Sequence, residues 1–222
     1  YYIPFISLSG GEKVFNYKEK AELSPENNTG MHVIPQVITN SAAEVIEVEN
    51  KFRQLGYNEI NINLGCPSGT VVPKGRGAGM LRDPQKLERF LDELFDKTKA
   101  SISLKTRIGF ENPNEWEDLL RIYNKYPATE LIVHARVRTD FYKNTVNLDA
   151  FEYAMENCRL PLCYNGDIWC LEDYLRLKKR FPKLESVMLG RGLLGNPFLA
   201  EEIRMTEESL GDCELKPFYE DA

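Results

Sequence analysis

Short apolar runs rich in β-branched residues recur along this chain, each separated from the next by a longer stretch with helical spacing. This alternation constrains the fold more than any other feature. A parallel strand needs a crossover to bring the chain back to the same end of the sheet, and a helix supplies it. The apolar runs fall at residues 2–6, 32–38, 59–64, 102–107, 131–135, 162–165 and 186–189. Helical stretches fall at 41–55, 83–99, 114–126, 148–157 and 171–181. Ser41 with Glu44 makes a capping-box pattern, and Asp83-Pro84 opens the second helix. Residues 7–31 read as a structureless gap.

Strands at this spacing, the first of them entered midway, predict an α/β fold: a (β/α)8 TIM barrel that lacks its first strand, in preference to an open doubly wound sheet. A complete barrel typically takes about 250 residues, and this chain has 222. The barrel domain is expected over residues 1–205. Residues 206–222, polar and acidic, are expected to be an extension or the stub of a second, helical domain, and the natural protein is expected to be longer at both ends.

The net charge of −6 gives no global attraction to a phosphate backbone, so any nucleic-acid contact must use local basic patches. No apolar run approaches the ~18 to 20 residues of a membrane span, and the start of the chain lacks the basic residues of a signal peptide. Cysteines 66, 158, 163, 170 and 213 include no C-x-x-C pair and are odd in number. Neither a disulfide framework nor a metal site is expected, and a cytoplasmic, reduced setting fits.

In barrels of this kind the chemistry lies at the C-terminal strand ends. Polar residues cluster there in this sequence: Gln36; Asn63 and Cys66; Lys105 and Arg107; His134 and Arg136; Asn165 and Asp167; Gly190 and Arg191. Any one of them alone is an ordinary capping or loop residue; their recurrence on successive strands points to a site. Lys105, beside a strand interior, is costly to bury unpaired, which suits an anionic ligand, although an ion pair with a neighbouring strand would also serve. The turns Asn165-Gly166-Asp167 and Gly190-Arg191-Gly192 suit phosphate, through backbone N–H groups and the guanidinium fork. His134 and Arg136 lie two residues apart on one strand face. Cys66 stands just past a strand and before a basic, glycine-rich loop. A cysteine thiol is mostly protonated at neutral pH and suits a proton donor as well as a nucleophile, and the sequence does not separate the two.

Asn61-Ile62-Asn63-Leu64-Gly65-Cys66-Pro67, followed by Lys74-Gly75-Arg76-Gly77-Ala78-Gly79-Met80-Leu81, resembles the signature of the tRNA-dihydrouridine synthases. Lys105-Thr106-Arg107-Ile108-Gly109, His134-Ala135-Arg136, Asn165-Gly166-Asp167-Ile168 and Gly190-Arg191-Gly192 extend the resemblance in order, from about residue 2 to residue 203. It implies reduction of a tRNA uridine to dihydrouridine by FMN, itself reduced by NADPH, with hydride delivered to C6 and Cys66 protonating C5. It further implies that Gln36, Lys105 and His134 contact the flavin, and that Asn165, Gly166, Asp167, Gly190 and Arg191 hold its phosphate. Asn63, Arg107 and Arg136 would face the target uridine or its phosphates, and Lys74 and Arg76 would supply local positive charge. The implied partner is tRNA, with no membrane and no protein partner.

The family's first strand and most of its helical C-terminal domain have no counterpart in this sequence. Two other readings remain open at this level: an FMN barrel that oxidises or reduces a small anionic substrate, and a barrel that binds RNA or another partner without redox chemistry.

Overall fold

A computed structural model describes residues 1–8 and 15–211. It contains seven strands, one for each expected run, alternating with helices in chain order. The chain divides into two compact units, Tyr1–Tyr164 and Asn165–Ala222.

In the first unit, β1 (Ile6–Ser7) precedes α1 (Tyr17–Leu23), β2 (Gln36–Ile38), α2 (Ala42–Gln54), β3 (Glu59–Asn63), α3 (Pro84–Lys97), β4 (Ser101–Gly109), α4 (Trp116–Tyr123), β5 (Leu131–Val137) and α5 (Leu148–Asn157). β6 (Leu162–Asn165) ends where the second unit begins. That unit holds α6 (Leu171–Arg180), β7 (Ser186–Met188), α7 (Arg191–Gly195) and α8 (Leu199–Gly211). α8 runs through residue 205, where the sequence pattern ends the barrel domain; residues 212–222 of the expected extension, with Cys213, lie outside the described residues.

Proline trims the first two strands. The run at 2–6 pairs only through an isolated bridge from Tyr2 to Ile34 and through β1 itself. Pro4 in one run and Pro35 in the other have no N–H to give a ladder, although the Pro35 carbonyl still accepts from Asn61 N at 2.9 Å. The gap expected at residues 7–31 is in part helical. α1 begins in a reciprocal capping box, in which Asn16 Oδ1 accepts from Glu19 N and Glu19 Oε2 accepts from Asn16 N, each at 2.9 Å. Leu23 is its single buried residue, too little apolar periodicity to mark a helix in the sequence. The stretch expected as one helix over 114–126 is a 3-10 turn, Pro113–Glu115, followed by α4, which stops short of Pro127.

The first five strands pair in parallel, each with the next. Register partners in a parallel pair point to the same side, and residues two apart along a strand do so too. Gln36 is paired with Asn61, Asn61 with Ser103, Asn63 with Lys105, and Arg107 with His134. One face of the sheet therefore carries Gln36, Asn61, Asn63, Ser103, Lys105, Ile132, Arg107 and His134; the β4–β5 register shifts after Arg107, and Arg136 is placed on this face by its contact with His134. The other carries Val37, Ile60, Ile62, Ile102, Leu104, Leu131, Val133 and Ala135, all at most 2% exposed. α2, α3 and α4 supply buried Val45, Val48, Phe52, Leu87, Leu91, Leu94, Leu119 and Leu120 to the core. The one hydroxyl set among the β4 apolar positions, Thr106 Oγ1, is satisfied by the Tyr123 hydroxyl at 2.8 Å.

Among the described residues no helix is long and apolar enough to cross a membrane. Leu104, fully buried at the centre of the apolar face, is a direct probe of this packing: Leu104→Ala is expected to cost about 2–5 kcal/mol, read as a lower denaturant midpoint at unchanged slope.

Candidate active site

The polar face is buried and must satisfy its own hydrogen bonds. It does so through a ladder of amides. Gln36 Nε2 donates to Asn61 Oδ1 at 2.8 Å, Asn61 Nδ2 donates to Ser103 Oγ at 3.0 Å, and Asn63 Nδ2 donates to Gln36 Oε1 at 2.8 Å. Asn61, which stood only in the quoted signature, and Ser103 were not among the expected site residues, although their alternation with Ile60, Ile62 and Leu104 is the signal that could have found them.

Asn63 carries the ladder to Cys66. Its Oδ1 accepts from Gly65 N at 3.1 Å and from Cys66 N at 2.9 Å, bending the chain sharply as β3 ends. The loop beyond then folds back on this turn, with Ala78 N donating to Cys66 O at 3.0 Å. At Gly77, φ is +54°, and a β-carbon there would lie 2.9 Å from Cys66 O and 3.0 Å from Cys66 Cβ. Only glycine fits both the conformation and the space. Cys66 is a half-buried free thiol.

Lys105 pairs with Asn63 across the β3–β4 register. Burial, and next the neighbouring Arg107 charge, bring its pKa down from the ordinary 10.5 to about 8; the Cys163 and Cys66 thiols act in the opposite direction. Arg107, 1% exposed, donates from Nε to Gly65 O at 2.9 Å, from Nη1 to Val137 O at 2.9 Å and from Nη2 to Phe141 O at 2.8 Å. Burial lowers its pKa too.

His134 and Arg136 are both buried. Arg136 Nη1 lies 3.1 Å from His134 Nε2, and a guanidinium can only donate. Nε2 is therefore the acceptor, and the neutral ring carries its proton on Nδ1. Arg136 Nε donates to Asn144 O at 2.6 Å. Tyr142, which the sequence reading missed, has its ring centroid 5.9 Å from that of His134 and 5.3 Å from the Arg107 guanidinium, with about half its surface open. It sits in a loop with no periodicity, so nothing in the sequence marks it.

The structure thus gathers Gln36, Asn63, Lys105, Arg107, His134 and Arg136 on one face, with Cys66 just beyond the end of β3. Lys74 is exposed, and its carbonyl accepts from Asn40 Nδ2 at 3.0 Å. Arg76 is mostly covered: Nη2 pairs with Glu44 Oε1 at 3.8 Å, and Nη1 donates to Ser7 Oγ at 3.5 Å.

In the second unit, Asn165 Nδ2 donates to Met188 O at 2.8 Å, tying the end of β6 to the end of β7. Gly166 (φ 147°) and Asp167 (φ 43°) form the turn that follows. Arg191 pairs with Asp167 at 3.1 Å and lies 4.7 Å from the Trp169 ring centroid. Gly190 has open space where a β-carbon would stand.

The family model described as dihydrouridine synthase (Dus) matches residues 9–217. The chain belongs to the dihydrouridine synthase family. It is 31% identical over 174 residues to a tRNA-dihydrouridine(16) synthase of Aquipseudomonas alcaligenes, covering 75% of this chain and 55% of that protein. It is also 31% identical over 165 residues to a probable tRNA-dihydrouridine synthase of Staphylococcus aureus, covering 70% of this chain and 48% of that one. The chain spans about half the length of the curated relatives it matches. Among solved structures, a dihydroorotate dehydrogenase (DHODH) of Eimeria tenella in complex with ferulenol superposes with a TM-score of 0.55 at 11% identity, over 86% of this chain and 63% of that one. That likeness concerns the fold, and places the seven parallel strands in a TIM-barrel-like architecture.

Within this member of the dihydrouridine synthase family, Lys105 offers a test by proton linkage. Its lowered pKa leaves the folded state binding fewer protons than the unfolded state between about 8 and 10.5. The penalty on the fold is therefore complete below about pH 8 and is relieved as pH rises toward 10.5. An anion bound against Lys105 favours the charged form and raises the pKa again. Binding of such an anion at pH 8 is expected to take up roughly half a proton, falling to nothing below about pH 6.5. Calorimetric titration with FMN in buffers of different ionisation enthalpy measures this, and Lys105→Met should abolish it.

Proposed function

We propose that this chain is the catalytic part of a tRNA-dihydrouridine synthase, a flavin-dependent oxidoreductase that reduces the C5–C6 double bond of a tRNA uridine. The observation that carries the reading is Cys66, fixed by Asn63 beyond the end of β3, with Lys105 as the register partner of Asn63 on the same face. A proton donor whose backbone N–H is fixed, near a half-buried cation whose charge the interior disfavours, suits reduction of an electron-poor ring.

The residues fit a flavin. Lys105, whose charge the interior disfavours, would gain most from an anionic ring. The buried amide of Gln36 and the Nδ1–H inferred for His134 suit the hydrogen-bonding edge of a planar heterocycle. When bound, FMN reduced by NADPH would supply hydride to C6 of the base. Asn165, Gly166, Asp167, Gly190 and Arg191 would hold its phosphate, an assignment that rests on family likeness and on an open glycine turn beside a guanidinium. The choice of NADPH as reductant rests on family likeness alone.

The protein's own part in the reaction is orientation and proton transfer. Cys66 gives its thiol proton to C5 while C6 accepts hydride, and the resulting thiolate recovers a proton from solvent. The target uridine must leave its stack to reach the thiol, which costs a few kcal/mol and favours a nucleotide already unpaired by the tRNA fold. Asn63, Arg136, Lys74 and Arg76 are the proposed contacts to the tRNA. Lys74 is the exposed cation of that set, in a chain whose net charge of −6 otherwise repels RNA. A cytoplasmic location is part of the same proposal.

The whole gene product, purified and treated with NADPH without oxygen, should show flavin absorption that bleaches. Cys66→Ala should keep that bleaching while dihydrouridine formation in tRNA falls by about 10²–10⁴-fold, the usual worth of a positioned proton donor. Absence of flavin bands even after reconstitution with FMN would overturn the reading.

A further inference from the structure

The guanidinium of Arg107 holds backbone carbonyls on two loops that are far apart in the chain. Gly65 O belongs to the turn that carries Cys66. Val137 O and Phe141 O bracket the 3-10 turn Arg138–Asp140 that follows β5. A guanidinium is a rigid plane of donors, so it holds acceptors from separate segments at set spacings, which a lysine ammonium cannot reproduce.

Both loops are tightly constrained where Arg107 grips them. Phe141 adopts φ +50°, sparsely populated for a side chain of its size, and such a conformation persists only where the surroundings hold it. Its carbonyl is one of the three acceptors. On the other side, a β-carbon at Gly65 would lie 3.3 Å from the Thr106 carbonyl carbon and 3.6 Å from Arg107 Cγ, so the Cys66 turn is pressed directly onto β4. Asp140 closes the far loop on itself: Oδ2 accepts from Val137 N at 3.1 Å, and Oδ1 accepts from Asn144 Nδ2 at 2.5 Å.

We propose that Arg107 is a positioning residue, which locks the Cys66 turn and the loop bearing Phe141 and Tyr142 into one unit and acts on the reaction through Cys66 rather than by touching the tRNA. A change confined to the loop after β5 then reaches the Cys66 thiol through the guanidinium. The catalytic consequence rests on the proposed function; the mechanical link does not.

The test uses the whole gene product carrying Arg107→Lys, Asp140→Asn or both, with folding checked by far-UV circular dichroism. Cys66 alkylation by iodoacetamide is followed by peptide mass, and hydrogen exchange reports residues 137–144. The Asp140 carboxylate hydrogen-bonds Val137 N and Asn144 Nδ2 and reaches Arg107 only through its charge, yet Asp140→Asn is expected to speed alkylation of Cys66 by about two- to thirtyfold, the range of coupling through a packed network. Arg107→Lys should speed alkylation as well, and adding Asp140→Asn to it should change nothing further, because the link is already cut. In single turnover with tRNA, Arg107→Lys should slow uridine reduction about ten- to a hundredfold, as loss of charged hydrogen bonds does, while tRNA affinity stays within about threefold.

Faster exchange at 137–144 in Asp140→Asn with Cys66 alkylation unchanged overturns the proposal. So does an Arg107→Lys enzyme that loses tRNA affinity with its thiol reactivity unaltered, the signature of a direct substrate contact. Should Arg107→Lys fail to fold, Asp140→Asn alone decides the link. A wild-type protein that reduces no tRNA removes the proposed function and leaves the alkylation results to judge the clamp.

Discussion

Asn63 and Lys105 are register partners in a parallel pair, and most of the functional architecture follows from that one alignment. Because side chains alternate along a strand and register partners share a side, the pairing commits Gln36, Asn61, Ser103, Arg107 and His134 to the same face. A slip of one residue would send these groups among the helices and bring Ile60, Ile62 and Leu104 to the polar side. The loss of apolar burial on one face and of hydrogen bonds on the other makes the alignment strongly specified.

A buried polar face is costly unless its members satisfy one another. The amide ladder through Gln36, Asn61, Asn63 and Ser103 meets that demand, and it ends on the backbone N–H groups of Gly65 and Cys66. The position of the thiol is thus coupled to the interior of the sheet. Two arginines extend the same principle to the loops. Arg76 joins the third strand's loop to Ser7 at the end of β1 and to Glu44 in the first turn of α2, and Arg107 joins the Gly65 turn to the loop after β5. Positive charge expected to serve RNA is in part spent on holding the loops that present the site.

The Asn165–Asp167 turn and the Gly190-Arg191 segment form a separate group in the second unit. Asn165 ties two strand ends together, and Arg191 stands between Asp167 and the Trp169 ring. Positive φ at both Gly166 and Asp167 is the kind of backbone that exposes successive N–H groups, which is why an Asn-Gly-Asp tripeptide after a strand suits an anion.

The α/β alternation, the identity of the strands and the polar strand ends were legible in the sequence, because each is a local pattern of period two or 3.6 read over a few residues. The Gly65-Cys66-Pro67 signature and its glycine-rich continuation were legible for a similar reason: Gly77 is demanded by a contact only eleven residues back along the chain. The helix α1, with its single buried leucine, was hidden because its register rests on a capping box rather than on periodicity. What Arg76, Arg107 and Tyr142 do was decided by tertiary structure alone. A guanidinium reads the same in sequence whether it faces a phosphate or a carbonyl, and only the approach of Gly65, Val137 and Phe141, from 42 and 30 to 34 residues away, determines which it meets.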